Sequence, residues 1–244
     1  MHLLTSATSN TSVNVHMQKQ TRNPIVKGFM LILSKVLIVK ASISMLFGDN
    51  SLQTVGDMTE GLLATPAYKL LAEHLKQDSM CRTIIQERYI PPTHDLDKLL
   101  SLPSDSLGYI YAAQMKKSGY NPNLHEGMTV DSDAHYVEIR LSQTHDIWHI
   151  VTGFDTTIAS EFGLQAFYLA QFPYPLATML IANALIFTTL KTPEMLPQLL
   201  EAIAQGFKLG KTAKPLFAQK WEEEWSKPLS QWQADLNIQP IPSQ

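Results

Sequence analysis

The sequence predicts an all-α protein, a single-domain helical bundle carrying a helix-loop-helix metal motif. Helix start and stop residues recur along the chain, flanking apolar residues at helical spacing. Apolar-polar alternation never runs beyond a few residues, and no Asn-Gly or Asp-Gly turn joins two such runs. No repeat at a solenoid period and no linker rich in Gly, Ser or Pro divides the chain. At 244 residues a sizeable core needs no cross-links, and the single cysteine, Cys81, excludes an internal disulfide or a Cys-rich zinc finger. Charged residues are 17% of the chain, below the roughly 25% of an average soluble domain. A formal net charge of -3 argues against a nucleic-acid partner, which needs a basic face to neutralise phosphates.

Residues 1–23 read as a flexible polar arm and residues 24–244 as the all-α domain. Residues 1–48 hold Lys19, Arg22, Lys27, Lys35 and Lys40 and no acidic residue, so the front end is basic. From Ile25 to Phe47 the chain is apolar but interrupted by lysines. It reads as a helix against a core or a membrane surface and not as a span, which needs about 20 mostly apolar residues. Thr65-Pro66 supplies an N-cap and first helical residue before Tyr68, Leu71 and Leu75. Ser104 can cap the next helix, stopped by Gly119, and Asp131 or Ser132 can cap the one that ends at Gly153. The uncharged window Phe162 to Leu190 is cut by Pro173-Tyr174-Pro175, leaving Leu176 to Leu190, too short to cross a bilayer at about 1.5 Å per residue. That segment is either a helix buried on all sides or a greasy wall for a hydrocarbon ligand. Thr192-Pro193 repeats the start signal, and Gly206 and Gly210 loosen or close the helix that follows. Lys208, Lys211 and Lys214 precede Trp221, Trp225 and Trp232, which share one face if one helix continues, and basic and aromatic residues together suit a headgroup region; Pro228 interrupts such a helix, however, and packing on the core is the commoner fate of such tryptophans. The run Glu222-Glu223-Glu224 is most simply a solvated face.

The chemistry concentrates at His145-Asp146-Ile147-Trp148-His149, followed after eleven residues by Glu161. At about 100° per residue, His145, His149 and Asp146 share one helix face, and two imidazoles one turn apart are the spacing a divalent metal requires. Thr152-Gly153 ends the helix, Asp155 or Thr156 can cap a second one, and a short hairpin returns Glu161 to the same pocket. The ligand set His145, Asp146, His149 and Glu161 suits zinc, and also cobalt, manganese or iron, and does not by itself choose; zinc is the expected metal, with magnesium also open. A metal hydrolase fits less well, because Asp146 stands where the zinc proteases place their Glu base.

This motif resembles that of the Coq-four family of ubiquinone (coenzyme Q) biosynthesis proteins. The likeness continues in Leu102-Pro103, Ser106-Leu107-Gly108-Tyr109 and Tyr111, in Tyr136 and Arg140, and in Thr152-Gly153. Gly206, Leu209-Gly210, Ala213-Lys214-Pro215-Leu216-Phe217, Trp221-Glu222-Glu223 and Pro228-Leu229 are similar to the C-terminal signature of bacterial members. One departure is Ser142, where many members carry a second Arg. The resemblance implies a homodimer, peripheral at a membrane surface, that binds a divalent metal and a polyprenyl lipid and works with other quinone-biosynthesis proteins. It implies a place in the cytoplasm of a bacterium or on the matrix face of the inner mitochondrial membrane in a eukaryote. It links the chain to C1 oxidative decarboxylation of a polyprenylated hydroxybenzoate, with Asp146 or Glu161 moving a proton where not ligated. Leu176, Met179, Leu180, Ala184 and Phe187 would hold the isoprenoid tail, and Lys208, Lys211, Lys214, Trp221 and Trp225 would meet the membrane. The alternative implied is a non-catalytic lipid-binding scaffold that presents prenylated intermediates to other enzymes.

Overall fold

A computed structural model describes residues 24–241; the arm expected over residues 1–23 lies outside the described residues. Among them the backbone forms eleven α-helices and no strand. These are α1 (Pro24–Leu46), α2 (Leu52–Leu63), α3 (Pro66–Leu75), α4 (Ser79–Glu87), α5 (Leu96–Leu99) and α6 (Leu107–Ser118). There follow α7 (Asp133–Thr152), α8 (Ile158–Gln171), α9 (Pro175–Lys191), α10 (Leu196–Thr212) and α11 (Leu229–Asp235).

Local chemistry sets most of the boundaries. Thr65 accepts from the Ala67 amide with Pro66 in the first turn, and Ser132 accepts from the His135 amide. Gly119 and Gly153 close α6 and α7 in the left-handed region, at φ 69° and 81°, where a Cβ is strained. Two caps differ from the sequence expectation. Ser106, not Ser104, caps α6, and Thr157, not Asp155 or Thr156, caps α8. Asp155 instead accepts from the Thr157 amide and hydroxyl, shaping the turn one step earlier.

The long helix α7 is the axis of the core. Val137, Leu141, Ile147, Trp148 and Val151 are fully buried along it, against α3, α4, α6, α8 and α11. The most extensive contact between helices joins α8 to α10, and glycine makes it possible. A Cβ at Gly206 would lie 1.8 Å from the Gly163 carbonyl oxygen, and one at Gly210 would lie 2.6 Å from that of Phe167. These two glycines therefore do not loosen or end α10; they let its backbone touch that of α8, which carries Glu161.

Three other expectations change. Helix α9 is not buried all round: Leu176, Ala177, Asn183, Ala184 and Thr188 face inward, while Ile186 and Leu190 are exposed. Trp221, Trp225 and Trp232 do not share a helix, because a 3-10 turn (Trp221–Glu223) and a further turn, closed by the Lys227 amide on the Glu224 carbonyl, precede α11. Glu222 is not solvated but buried, receiving two hydrogen bonds from Arg140 at 2.7 and 2.9 Å, with the second Arg140 nitrogen also donating to the Gln219 carbonyl. This pair clamps the C-terminal segment to α7. Removing one partner of such a buried pair costs about 3–5 kcal/mol, since the other charge is left uncompensated.

Helix α1 is apolar and long enough to cross a membrane by length and composition. Ser34, Ala41 and Met45 on it are buried, and Ser34 and Ile38 ride over Gly61 of α2. Phe29, Ile32, Val36, Val39 and Ile43 stay exposed.

Candidate metal centre

The hairpin of α7 and α8 brings His145, His149 and Glu161 together. One candidate ligand atom from each lies within 4.8 Å of the other two. His149 Nε2 stands 3.2 Å from His145 Nε2 and 3.0 Å from Glu161 Oε2, and His145 Nε2 is 3.5 Å from Glu161 Oε1. A metal with nitrogen ligands at about 2.0–2.1 Å in a tetrahedron has ligand-ligand edges of about 3.3–3.4 Å. The separation of the two imidazole nitrogens is close to such an edge, and each faces a different oxygen of the Glu161 carboxylate at a similar distance.

The surroundings orient each donor. His149 Nδ1 lies 3.0 Å from the Phe154 carbonyl oxygen; as that oxygen only accepts, Nδ1 carries a hydrogen, and Nε2 is the nitrogen turned to His145 and Glu161. The buried Phe154 ring lies against Gly163, within the space a Cβ there would need, so the turn and α8 close on one another. His145 Nδ1 is 3.3 Å from the Tyr168 hydroxyl, and Gln165 donates to Glu161 Oε1 at 2.8 Å. Burial pushes the Glu161 carboxyl up, but hydrogen bonds and charge from His145 and His149 outweigh it and hold the group far below the carboxylate range. Burial pushes His145 down, and Glu161 outweighs that, holding the imidazole above its ordinary value. Two imidazoles and an ionised carboxylate suit a divalent cation, and three protein donors leave a coordination position for a substrate or water.

Of the four ligands expected from sequence, Asp146 stands outside this group. Its charge acts on His145, Tyr111 and Tyr168. Phe154, Gln165, Tyr168 and Glu138 were not singled out from the sequence. Glu138 and Tyr168 each lie seven residues from a ligand, two turns along the same helix, which was the available clue.

The other expected sites fare differently. Trp221 is a core residue, fully buried against Trp232 at 4.7 Å between ring centroids, and not a membrane contact. Trp225 is half-buried and stacks on Tyr111 at 5.1 Å, for which a neighbouring aromatic surface is reason enough. Lys208, Lys211 and Lys214 are exposed. Leu176 and Ala184 are buried in the protein itself, with Met179, Leu180 and Phe187 half-buried on the same helix.

Comparison with known proteins places this geometry in context. Residues 30–242 match the family described as coenzyme Q (ubiquinone) biosynthesis protein Coq4. Similar curated proteins include the mitochondrial ubiquinone biosynthesis protein COQ4 of Eremothecium gossypii, 28% identical over 184 residues, covering 73% of this chain and 56% of that protein. The protein of the same name from Coccidioides immitis is 27% identical over 194 residues, covering 78% of this chain and 66% of its own length. The chain thus spans between about half and two thirds of these relatives. A crystal structure from Nostoc punctiforme, titled for a role in ubiquinone biosynthesis, superposes with a TM-score of 0.76 at 31% identity, covering 84% of this chain and 96% of that one. The chain belongs to the coenzyme Q (ubiquinone) biosynthesis protein Coq4 family.

Proposed function

We propose that the protein binds a divalent metal at His145, His149 and Glu161, with Asp146 as a further donor, and uses the site on the carboxylated head of a polyprenylated hydroxybenzoate. The observation that carries this reading is the convergence of three oriented donors at metal-ligand separations on the α7–α8 hairpin. The reaction class is oxidative decarboxylation at C1: the ring-carboxylate bond breaks, carbon dioxide leaves and a hydroxyl takes its place. This is a two-electron oxidation that needs an external oxidant. When bound, the metal would supply a Lewis acid for the carboxylate or phenolate oxygens. Asp146, where it does not join the metal, would move a proton beside that head. Tyr168 and the Phe154 carbonyl fix the two imidazoles. Trp148, Phe167 and Tyr168 form an aromatic wall that excludes water behind them.

The isoprenoid tail would run along α9, past Met179, Leu180 and Phe187, toward exposed Ile186 and Leu190. Each methylene buried there is worth about 0.8 kcal/mol. Membrane association, homodimerisation and contact with other quinone-biosynthesis proteins belong to the same proposal. The exposed apolar face of α1, in a front end with five basic and no acidic residues, supports a membrane surface and moves it away from the tryptophans. That face also favours a second reading, a lipid-bound scaffold without turnover. The test is conversion of a carboxylated prenylated precursor in lipid vesicles by the pure full chain, with an oxidant. Turnover abolished by a chelator and restored by metal is the expected result; tight lipid binding with no turnover in any metal would favour the scaffold.

A further inference from the structure

Glu138 lies on α7 two turns before His145 and on the same face. It is buried, and its Oε2 accepts hydrogen bonds from the hydroxyls of Tyr68 at 2.7 Å and Tyr174 at 2.9 Å. Both tyrosines are buried as well, one on α3 and the other at the start of α9. The Tyr174 ring lies 5.3 Å, between centroids, from that of Tyr168, whose hydroxyl meets His145 Nδ1. A polar layer therefore stands behind the candidate metal centre, with a carboxylate at its far end. The charge of Glu138 acts on both His145 and Tyr168.

This carboxylate is a burden on folding. Burial pushes it up to about 7, against hydrogen bonds from Tyr68 and Tyr174 and the pull of His145. The ordinary value is 4.5, so its ionised form opposes folding increasingly from there to about pH 7, and fully above that. A glutamine amide oxygen could accept the same two tyrosine hydrogens without that cost. A residue that weakens the fold where a neutral neighbour would serve calls for another use of its charge.

We propose that Glu138 is a positioning residue of the metal centre: its carboxylate, two turns behind His145 on the same face, acts by its charge on the His145–Tyr168 pair and strengthens His145 as a ligand for a divalent cation. With Nε2 turned to the metal, His145 Nδ1–H donates to the Tyr168 oxygen, and the negative charge beyond stabilises that polarity. Metal-bound histidines ordinarily give this outer hydrogen to an acceptor, and loss of such support costs about 10–100-fold in metal affinity. The proposal rests on the metal reading above and adds to it a residue that touches neither metal nor substrate.

The experiment uses the full chain freed of metal, as wild type, Glu138→Gln, Glu138→Ala and Tyr168→Phe. Calorimetric titration with Co2+ at pH 8 is paired with thermal melts of the metal-free proteins. Glu138→Gln should melt above wild type yet bind Co2+ about tenfold more weakly, at the low end of the range for lost support. Glu138→Ala, which loses the tyrosine bracket, should melt below Glu138→Gln. Tyr168→Phe should weaken Co2+ binding similarly, and it carries the test should Glu138→Gln fail to fold. Affinities equal to that of a metal-binding wild type in the folded variants overturn the proposal alone. A wild type that takes up no Co2+ removes the metal reading, and this proposal with it.

Discussion

At the residue scale, His145 and Glu161 form a pair whose proton balance is fixed by opposed shifts. Glu161 is held below its ordinary 4.5 and His145 above its ordinary 6.5. The lowered carboxyl contributes stability that is present above pH 4.5 and lost as pH falls through its folded value. The raised imidazole contributes stability that is full below pH 6.5 and lost as pH rises through its folded value. In metal-free protein the melting difference between wild type and Glu161→Gln should be largest between those two pH values and shrink as His145 deprotonates; a difference that grows toward pH 9 would contradict the assignment. The histidines and Glu161 were legible in sequence because helical spacing and the break at Gly153 are local facts. Glu138 and Tyr168 were not, because their meaning depends on Tyr68 and Tyr174 arriving from other helices. Glu222 was misread for the same reason: its partner Arg140 lies 82 positions away, and nothing local marks the pairing.

At the scale of elements, the α8–α10 crossing decides where Glu161 stands. The Gly206 site lacks room for a methyl, and the obstacle is the Gly163 carbonyl, a backbone atom that cannot swing aside. Gly206→Ala should therefore cost about 3 kcal/mol, at the upper end of overpacking penalties, as read from urea unfolding. Gly56 in α2 is the control, since a Cβ there meets nothing within 4 Å. Gly56→Ala should leave stability unchanged or raise it by up to about 1 kcal/mol. Equal effects at the two sites would refute the close crossing. Caps and stops such as Thr65-Pro66, Ser132, Gly119 and Gly153 could be read from the chain, as each acts within a few residues. Gly206 and Gly210 look like helix breakers until the second helix is in place.

At the scale of the whole molecule, the fold divides its apolar residues between two tasks. Helices α3, α7 and α8 enclose a core that fixes the metal-binding hairpin, while α1 keeps Phe29, Ile32, Val36 and Val39 outward. The all-α class was legible because helical periodicity runs through the chain. The placement of the tryptophans was legible only as a choice between core and surface, with Pro228 against one continuous helix; the chain turns Trp221 and Trp232 into the core. The catalytic reading depends on whether the hairpin holds a metal. The most direct test is metal content per chain by mass spectrometry, on full-length protein purified without a metal-affinity column, beside the His145→Ala, His149→Ala double variant. The geometry predicts close to one divalent ion per wild-type chain and almost none in the variant. No metal in the wild type, or the same amount in both, would contradict it.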